Sequence, residues 1–162
     1  MSIKQVIVLR TKYPDGRGGT MGMRLGKVGA QIAHASGKVF FDRALRTLGG
    51  REPSGYLELA DGAPEFPEDT RELLMIPLTG GMAAWVGGVF TKVVVGVETE
   101  EDLLRCYELA KAAGLPTAVI QDMGATEFHG VPTYTTCAIG PADADEINKI
   151  TGPEGAVKVK LL

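Results

Sequence analysis

The sequence predicts an α/β protein in which one β-sheet carries helices on both faces, and three observations support this class. Residues 3–10 and 91–97 are β-branched, apolar runs that are typical of buried strands. A helical pattern extends between them from about residue 25 to residue 48. Residues 91–121 form a strand–helix–strand unit, whose crossover we expect to be right-handed. Strands that alternate with helices in this way are typical of a sheet between two helical layers.

The first half of the chain contains one strong strand and one long helix. Residues 12–22 include four glycines and a proline, so we expect a loop between this strand and the helix. After the helix come Gly49-Gly50 and a stretch rich in Pro, Gly and acids that extends to about residue 70. Residues 71–88 have no clear period, and within them residues 73–76 are a candidate for a helical turn.

The second half of the chain has clearer boundaries. Thr99 precedes three acidic residues, which is typical of a capped helix start, and Gly114 is a typical helix end. A proline is favoured at a helix start, so Pro141 predicts a short helix there. In chain order we expect a strand at 91–97, a helix from Thr99 to Gly114, strands at 117–121 and 133–139, a helix from Pro141 to Gly152, and an edge strand at 157–161.

Length and composition predict one soluble, cytoplasmic domain. The chain has 162 residues, of which 44% are hydrophobic and 23% charged, and this balance excludes a disordered protein. The apolar runs are too short to cross a bilayer, and the first residues lack the pattern of a signal peptide. Two cysteines, Cys106 and Cys137, are too few for a disulfide scaffold, so we expect both to be buried and reduced.

Charge is distributed unevenly along the chain. The formal net charge is −3, which argues against a nucleic-acid partner. Residues 1–51, however, carry ten basic and two acidic residues, a net charge of +8, whereas residues 52–162 carry −11. Two interpretations stay open: an anionic partner that faces the first third, or a solvated surface whose two parts neutralise each other.

The first helix places four polar side chains in one sector. On a helical wheel, an apolar stripe (Val28, Ile32, Ala35, Val39) and a stripe of small residues (Gly26, Ala30, Ala33, Gly37, Ala44) flank this sector. The polar residues between the two stripes are Lys27, Gln31, His34 and Lys38. Because packing is expected on both sides of them, we predict that they line the wall of a cleft.

Lys27 and Asp122 are predicted to form an ion pair. A cation in the first turn of a helix opposes the helix dipole, so Lys27 requires a nearby anion. Asp122 follows a strand, and sites in open α/β sheets form at the carboxyl ends of parallel strands. If the strand at 117–121 is parallel to the strand at 3–10, both side chains lie at the same edge, within about 3–4 Å of each other.

Other chemistries receive little support from the sequence. The segment from Gly22 to Val28 resembles a phosphate-binding loop but is one residue too short and lacks its Ser or Thr. Two histidines and two distant cysteines do not form a metal-binding spacing. The three serines lack the context of a nucleophile elbow, which disfavours a covalent serine mechanism.

Two motifs resemble those of the archaeal and eukaryotic type peptidyl-tRNA hydrolases, the type 2 family. The first helix resembles the family pattern M-x-x-G-K-x-A-A-Q-x-A-H-A over residues 23–35. The second motif contains Asp122, Gly124 and Thr126, after the segment that begins at Gly114. The resemblance covers about residues 3–46 and 85–162 of a single domain spanning 1–162, and leaves an unmatched insert at about 47–84.

The resemblance implies a fold, an activity and a site. The fold is a four-stranded mixed sheet between helices, often in a homodimer. The activity is hydrolysis of the ester between a peptide and the 3′ end of tRNA, without metal or cofactor. The implied catalytic residues are Lys27, His34, Asp122 and Thr126. The implied substrate-binding residues are Gln31, Lys38 and Arg24.

Two departures from the family pattern leave alternatives open. Ala125 stands where the family usually has Arg or Lys, which removes a candidate phosphate contact beside the site. The segment between Thr11 and Met23 is also longer than is usual in the family. The alternatives to a peptidyl-tRNA hydrolase are a non-catalytic binding module on the same fold and a hydrolase of another ester or amide.

Overall fold

A computed structural model describes residues 2–46 and 74–162 of the chain. The strands are β1 (Ile3–Arg10), β2 (Tyr13–Pro14), β3 (Thr20–Met21), β4 (Leu45–Arg46), β5 (Leu74–Met75), β6 (Lys92–Val97), β7 (Thr117–Asp122), β8 (Thr133–Asp143) and β9 (Lys160–Leu161). The helices are α1 (Leu25–Phe41), α2 (Gly80–Val86), α3 (Glu100–Ala112) and α4 (Ala144–Thr151). Residues 47–73, most of the expected insert, lie outside the described residues.

The chain divides into two compact units, residues 1–42 with 78–162 and residues 43–77. The larger unit contains a mixed sheet in the order β7-β8-β1-β6-β9. β1 is parallel to β6, and β8 is antiparallel to both β1 and β7. β1, β6 and β7 therefore run in one direction, as the site prediction requires. In the smaller unit, β4 pairs with β5 in an antiparallel ladder.

The sheet of the larger unit has five strands, so the expectation of four was wrong. β9 adds a short edge strand, with Lys160 opposite Gly96 and Leu161 opposite Val95. The sequence pattern itself indicates an edge strand at 157–161, of which residues 160–161 form β9, whereas the four-stranded sheet is what the family resemblance implies.

Hydrophobic residues form a separate core on each face of this sheet. Val6 and Val8 of β1 pack in one cluster with Leu103 of α3 and Ile147 of α4. Ile7, between them, packs on the opposite face in a cluster that contains Ala35 of α1 and Met82 of α2. Alternate residues of a strand point to opposite faces, so the predicted three layers are present.

Two helix boundaries and the type of one element differ from the prediction. α1 ends at Phe41 and not near residue 48, because residues 45–46 pair with residues 74–75 instead of continuing the helix. That pairing also makes residues 74–75 a strand, where a helical turn was expected. Pro141 lies within β8 and does not begin a helix. A register shift opposite Gln5 accommodates this proline, and α4 begins at Ala144.

Two further elements were not predicted. The expected loop at 12–22 contains a short hairpin, β2–β3. α2 buries Met82 and Trp85, although glycines at both of its ends hide it in the sequence. No helix in the described ranges is long and apolar enough to cross a membrane.

Candidate active site

A hydrogen-bond network joins α1, β7, β8 and the loop after β7. The Lys27 ammonium donates to Asp122 Oδ1 at 2.9 Å and to Thr126 Oγ1 at 3.0 Å. The Gln31 amide, one turn further along α1, donates to Asp122 Oδ2 at 2.9 Å. The Thr135 hydroxyl of β8 donates in turn to Gln31 Oε1. The predicted ion pair between Lys27 and Asp122 is thus confirmed, and both carboxylate oxygens of Asp122 have donors.

The fold explains why these groups meet. Asp122 is the last residue of β7, and β7 runs parallel to β1, so its side chain lies at the edge where α1 begins. Residues separated by four positions share a helix face, which aligns Lys27 with Gln31. Ala35 and Val39 continue this buried face of α1. Lys27 and Gln31 therefore lie at the N-terminal end of the buried face of α1, at the edge of the sheet where β7 ends.

Gly124 fixes the turn that follows Asp122. Its backbone N–H donates to Asp122 Oδ1 at 2.8 Å, and its φ is +80°. A Cβ at this position would lie 2.5 Å from the Val131 carbonyl oxygen. Both the left-handed backbone and the close approach favour glycine, so this residue of the second motif has a structural role.

Thr135 is a member of the network that sequence reasoning missed. The β7–β8 ladder pairs Ile120 with Thr136 but Gln121 with Tyr134, so Thr135 is the extra residue of a bulge. A bulge redirects a side chain relative to the regular alternation of a strand. Thr135 is fully buried, and its hydroxyl reaches Gln31 from the sheet. Nothing in the local sequence marks the position of this register shift.

The surroundings of Asp122 keep its carboxylate ionised. Partial burial alone would raise its pKa, but hydrogen bonds from Lys27, from the Gly124 N–H and from Gln31, with the charge of Lys27, lower the pKa below its ordinary value. The Lys27 and Asp122 side chains are 11% and 16% exposed, so solvent screens this pair less than a surface ion pair. A carboxylate with a lowered pKa is a weak base and a good orienting group.

The loop after β7 is tied to the start of α1 and to the β2–β3 hairpin. Arg24, the residue before α1, pairs with Glu127, while the Lys27 ammonium lies 4.9 Å from the centre of the Phe128 ring. The Tyr13 ring of β2 packs on the Phe128 ring, and the two ring centres are 4.7 Å apart. These contacts fix the position of Thr126 in front of Lys27.

The remaining predicted residues lie outside this network. His34 is exposed, and no hydrogen bond joins it to Lys27, Gln31 or Asp122. Lys38 lies about 16 Å along the helix axis from Lys27 and pairs with Asp42 at 2.7 Å. Arg24 is bound to Glu127. The catalytic role of His34 and the binding roles of Lys38 and Arg24 stay predictions.

The predicted cleft wall on α1 needs correction. Its small residues Gly26, Ala30 and Ala33 are exposed and do not pack against the sheet. Gln31 is buried, whereas His34 faces solvent. The polar sector is therefore split, because the sheet covers the face that contains Gln31, Ala35 and Val39.

The arrangement provides two kinds of hydrogen-bond donor for a developing negative charge. An ammonium group has three protons, and the third proton of Lys27 has no acceptor within residues 2–46 and 74–162. The residue before α1 has no side-chain cap, so N–H groups of the first turn are also free to bind an anion. In the same ranges, no group of three or more His, Cys, Asp or Glu side chains is placed to hold a metal ion.

Comparison with known proteins identifies the family. The family model described as "Peptidyl-tRNA hydrolase PTH2" matches residues 3–153. The chain belongs to the PTH2 family of peptidyl-tRNA hydrolases. It is 33% identical to a peptidyl-tRNA hydrolase of Halobacterium salinarum, over 93% of this chain and 96% of that protein. It is 33% identical to the Methanopyrus kandleri peptidyl-tRNA hydrolase over 92% and 93%, and 32% identical to that of Metallosphaera sedula over 93% and 96%. The family resemblance inferred from the two motifs is confirmed.

Proposed function

We propose that this PTH2 family member hydrolyses the ester bond between a peptide and tRNA at the network around Lys27. The observation that supports this site is that the Lys27 ammonium group donates hydrogen bonds to Asp122 and Thr126 while its third proton stays free among the described residues. An ester carbonyl oxygen becomes negatively charged when water attacks it, and preorganised donors stabilise that charge. Lys27 and the first N–H groups of α1 supply such donors.

Each neighbour of Lys27 has a distinct part in the proposed reaction. Asp122 stays ionised and orients the ammonium group, and Gln31 holds the second carboxylate oxygen. The Thr126 oxygen accepts from Lys27, so its own proton is free to hydrogen-bond the leaving ribose oxygen. Attack of water breaks the acyl–oxygen bond and gives a free peptide carboxylate, a ribose hydroxyl on the tRNA and a proton.

The test is release of the acyl group from N-acetyl-aminoacyl-tRNA by the purified chain. We expect Lys27→Met to reduce kcat by about a hundredfold or more, the magnitude typical of a lost oxyanion donor. Lys149→Met is the matched control, because Lys149 lies on α4 and pairs with Glu146 away from the network. Wild-type turnover equal to the buffer rate would favour a binding module. Turnover of small N-acyl esters but not of the tRNA ester would favour another hydrolase.

Two finer features are proposed from the family resemblance: a homodimer and a cytoplasmic location. Large apolar side chains such as Leu25 (86% exposed) and Val89 (93% exposed) face solvent in the larger unit, which is consistent with association of copies. The chain mass is 17.1 kDa, so light scattering should give about twice this mass for the dimer. The free, buried Cys106 and Cys137 are compatible with a reducing compartment.

A further inference from the structure

A cleft of about 430 Å³ lies beside the Lys27 network, on the other side of the loop after β7. Its walls are β2, the turn of the β2–β3 hairpin, the start of α3 and residues 128–133. The lining residues used below are Tyr13, Gly16, Glu100, Phe128, His129 and Val131. The reaction proposed above uses none of their side chains.

Phe128 belongs to both the cleft and the network. Its ring centre is 4.9 Å from the Lys27 ammonium, and its ring also forms part of the cleft lining. A group bound in the cleft is therefore separated from Lys27 by a single aromatic side chain. In the substrate, the ester oxygen and the base of the terminal nucleotide are joined by one ribose. The cleft is thus placed to receive the base when the ester lies at Lys27.

The lining suits a nucleobase better than an amino-acid side chain. The exposed imidazole of His129 offers a flat face for stacking, whereas the buried Phe128 ring, which contacts Tyr13 and Lys27, offers the cleft an aromatic edge. Arg10 binds Glu100 Oε2 at 2.6 Å, and the other oxygen of Glu100 has no hydrogen-bond partner among the described residues. Glu100 lines the cleft and its side chain is 45% exposed, so a base with an exocyclic amine can donate to this oxygen, which an aliphatic side chain cannot do.

Arg17 stands at the hairpin turn, next to Gly16 in the cleft wall. The Asp15 carboxylate accepts from the backbone N–H groups of Arg17 and Gly19, each at 2.8 Å, and so fixes this turn. The Arg17 side chain is exposed and forms no ion pair with a described residue. A guanidinium group in this position suits a phosphate. Arg17 therefore supplies a basic residue next to the cleft wall, whereas position 125 is Ala.

We propose that this cleft binds the 3′-terminal nucleotide of the tRNA, with its base stacked on His129 at the edge of Phe128 and its phosphate at Arg17. The inference rests on the proposed function, since it uses a substrate whose ester lies at Lys27. The β2–β3 hairpin thereby supplies one wall of a nucleotide site. The part of the substrate that all tRNAs share is held there, while the variable peptide extends elsewhere.

Binding of AMP to the full chain, followed by NMR, tests this site without any turnover. We expect saturable shifts at Tyr13, Phe128 and His129, and weaker binding of adenosine than of AMP. Arg17→Ala should remove the difference between the two ligands. Val131→Trp should weaken both by about tenfold, because the indole occupies the cleft. Leu161→Trp is the matched control, since Leu161 is also exposed but lies on the edge strand β9.

A kinetic comparison separates the base from the peptide. N-acetyl-aminoacyl esters of adenosine and of ribose differ only in the base, and we expect Val131→Trp to lower the ratio of their kcat/KM values by about tenfold. An unchanged ratio, with an altered preference between phenylalanyl and glycyl esters, would overturn the inference and assign the cleft to the peptide. AMP shifts outside the cleft would overturn it as well. Wild-type inactivity towards every ester would instead contradict the proposed function, while the AMP titration would still report on the cleft.

Discussion

At the scale of single residues, the site depends on how Asp122 uses its two carboxylate oxygens. Oδ1 accepts from Lys27 and from the Gly124 N–H, and Oδ2 accepts from Gln31. Gln31 is itself held by Thr135. The Asp122 carboxylate therefore orients the Lys27 ammonium group, and the buried Thr135 hydroxyl positions that carboxylate through Gln31.

Thr135 is predicted to act as a positioning residue. Thr135→Val removes the hydroxyl that holds Gln31 and keeps the shape of the side chain, so we expect kcat to fall by about tenfold. Thr135→Ser restores the hydroxyl and should recover most of kcat. The measurement is kcat on N-acetyl-aminoacyl-tRNA, with urea unfolding of each variant as a control. Equal kcat values for the valine and serine variants would contradict this role.

The lowered pKa of Asp122 predicts how stability depends on pH. A carboxyl group whose pKa is lower in the folded than in the unfolded state stabilises the fold at pH values above its ordinary pKa of 3.8. That contribution disappears as the pH falls through the lowered pKa. The free energy of unfolding should therefore differ between wild type and Asp122→Asn by a constant amount above about pH 5. A wild-type advantage that grows as the pH falls from 7 to 5 would contradict this, because it would mean that the folded state takes up the proton first and that the pKa is raised.

The sequence predicts one contact of the site, the ion pair between Lys27 and Asp122, but not the contact of Thr135 with Gln31. Lys27 and Asp122 could be paired from the sequence on the condition that the strands at 3–10 and 117–121 are parallel, and the structure meets this condition. Thr135 could not, because its contact arises from a one-residue register shift that depends on the partner strand. The exposure of His34 was also hidden, since the wheel does not say which side of α1 the sheet covers.

At the scale of elements, the loop after β7 is held by its own backbone. The N–H groups of Phe128 and Gly130 both donate to the Gly124 carbonyl oxygen, and the Val131 N–H donates to Phe128. This closed loop presents Thr126 to Lys27. Its shape requires positive φ at Gly124 and Gly130, which are +80° and +78°.

Two alanine substitutions test this loop. Gly124→Ala adds backbone strain and a Cβ only 2.5 Å from the Val131 oxygen, whereas Gly130→Ala adds the same strain with no heavy atom within 4 Å. We expect Gly130→Ala to cost about 1–2 kcal/mol and Gly124→Ala clearly more. Urea unfolding measures both costs. Equal destabilisation by the two substitutions would mean that the loop backbone moves to relieve the contact between the new Cβ at position 124 and the Val131 oxygen.

Elements with a strong local pattern could be predicted, and elements set by pairing could not. The bounds of β1 were anticipated, and Thr99 caps α3 with its hydroxyl as expected. β9 is a strand only because it pairs with β6, and α2 buries Met82 and Trp85, while the glycines at its start and just after its end weaken its local helix pattern. The end of α1 was misplaced because apolar spacing continues past it into β4.

At the scale of the whole molecule, the charge distribution predicts how the protein responds to salt. The net charge is −3, but residues 1–51 carry +8 and include Lys27 and Arg17. Binding of a polyanion releases counterions, so kcat/KM for the tRNA ester should fall steeply as salt rises from 50 to 200 mM. The kcat/KM for N-acetyl-aminoacyl-adenosine, which carries no phosphate chain, should change much less. Parallel salt dependences for the two substrates would exclude a phosphate contribution to binding.

The central claim is that Lys27 and Asp122 act as one unit, and a double-mutant cycle tests it most directly. The measurement is kcat on N-acetyl-aminoacyl-tRNA for Lys27→Met, Asp122→Asn and the double variant, each checked for folding. Residues that act together give non-additive losses. The double variant should therefore be about as slow as the slower single variant. If the two losses multiply instead, Asp122 acts independently of Lys27 and the proposed arrangement is wrong.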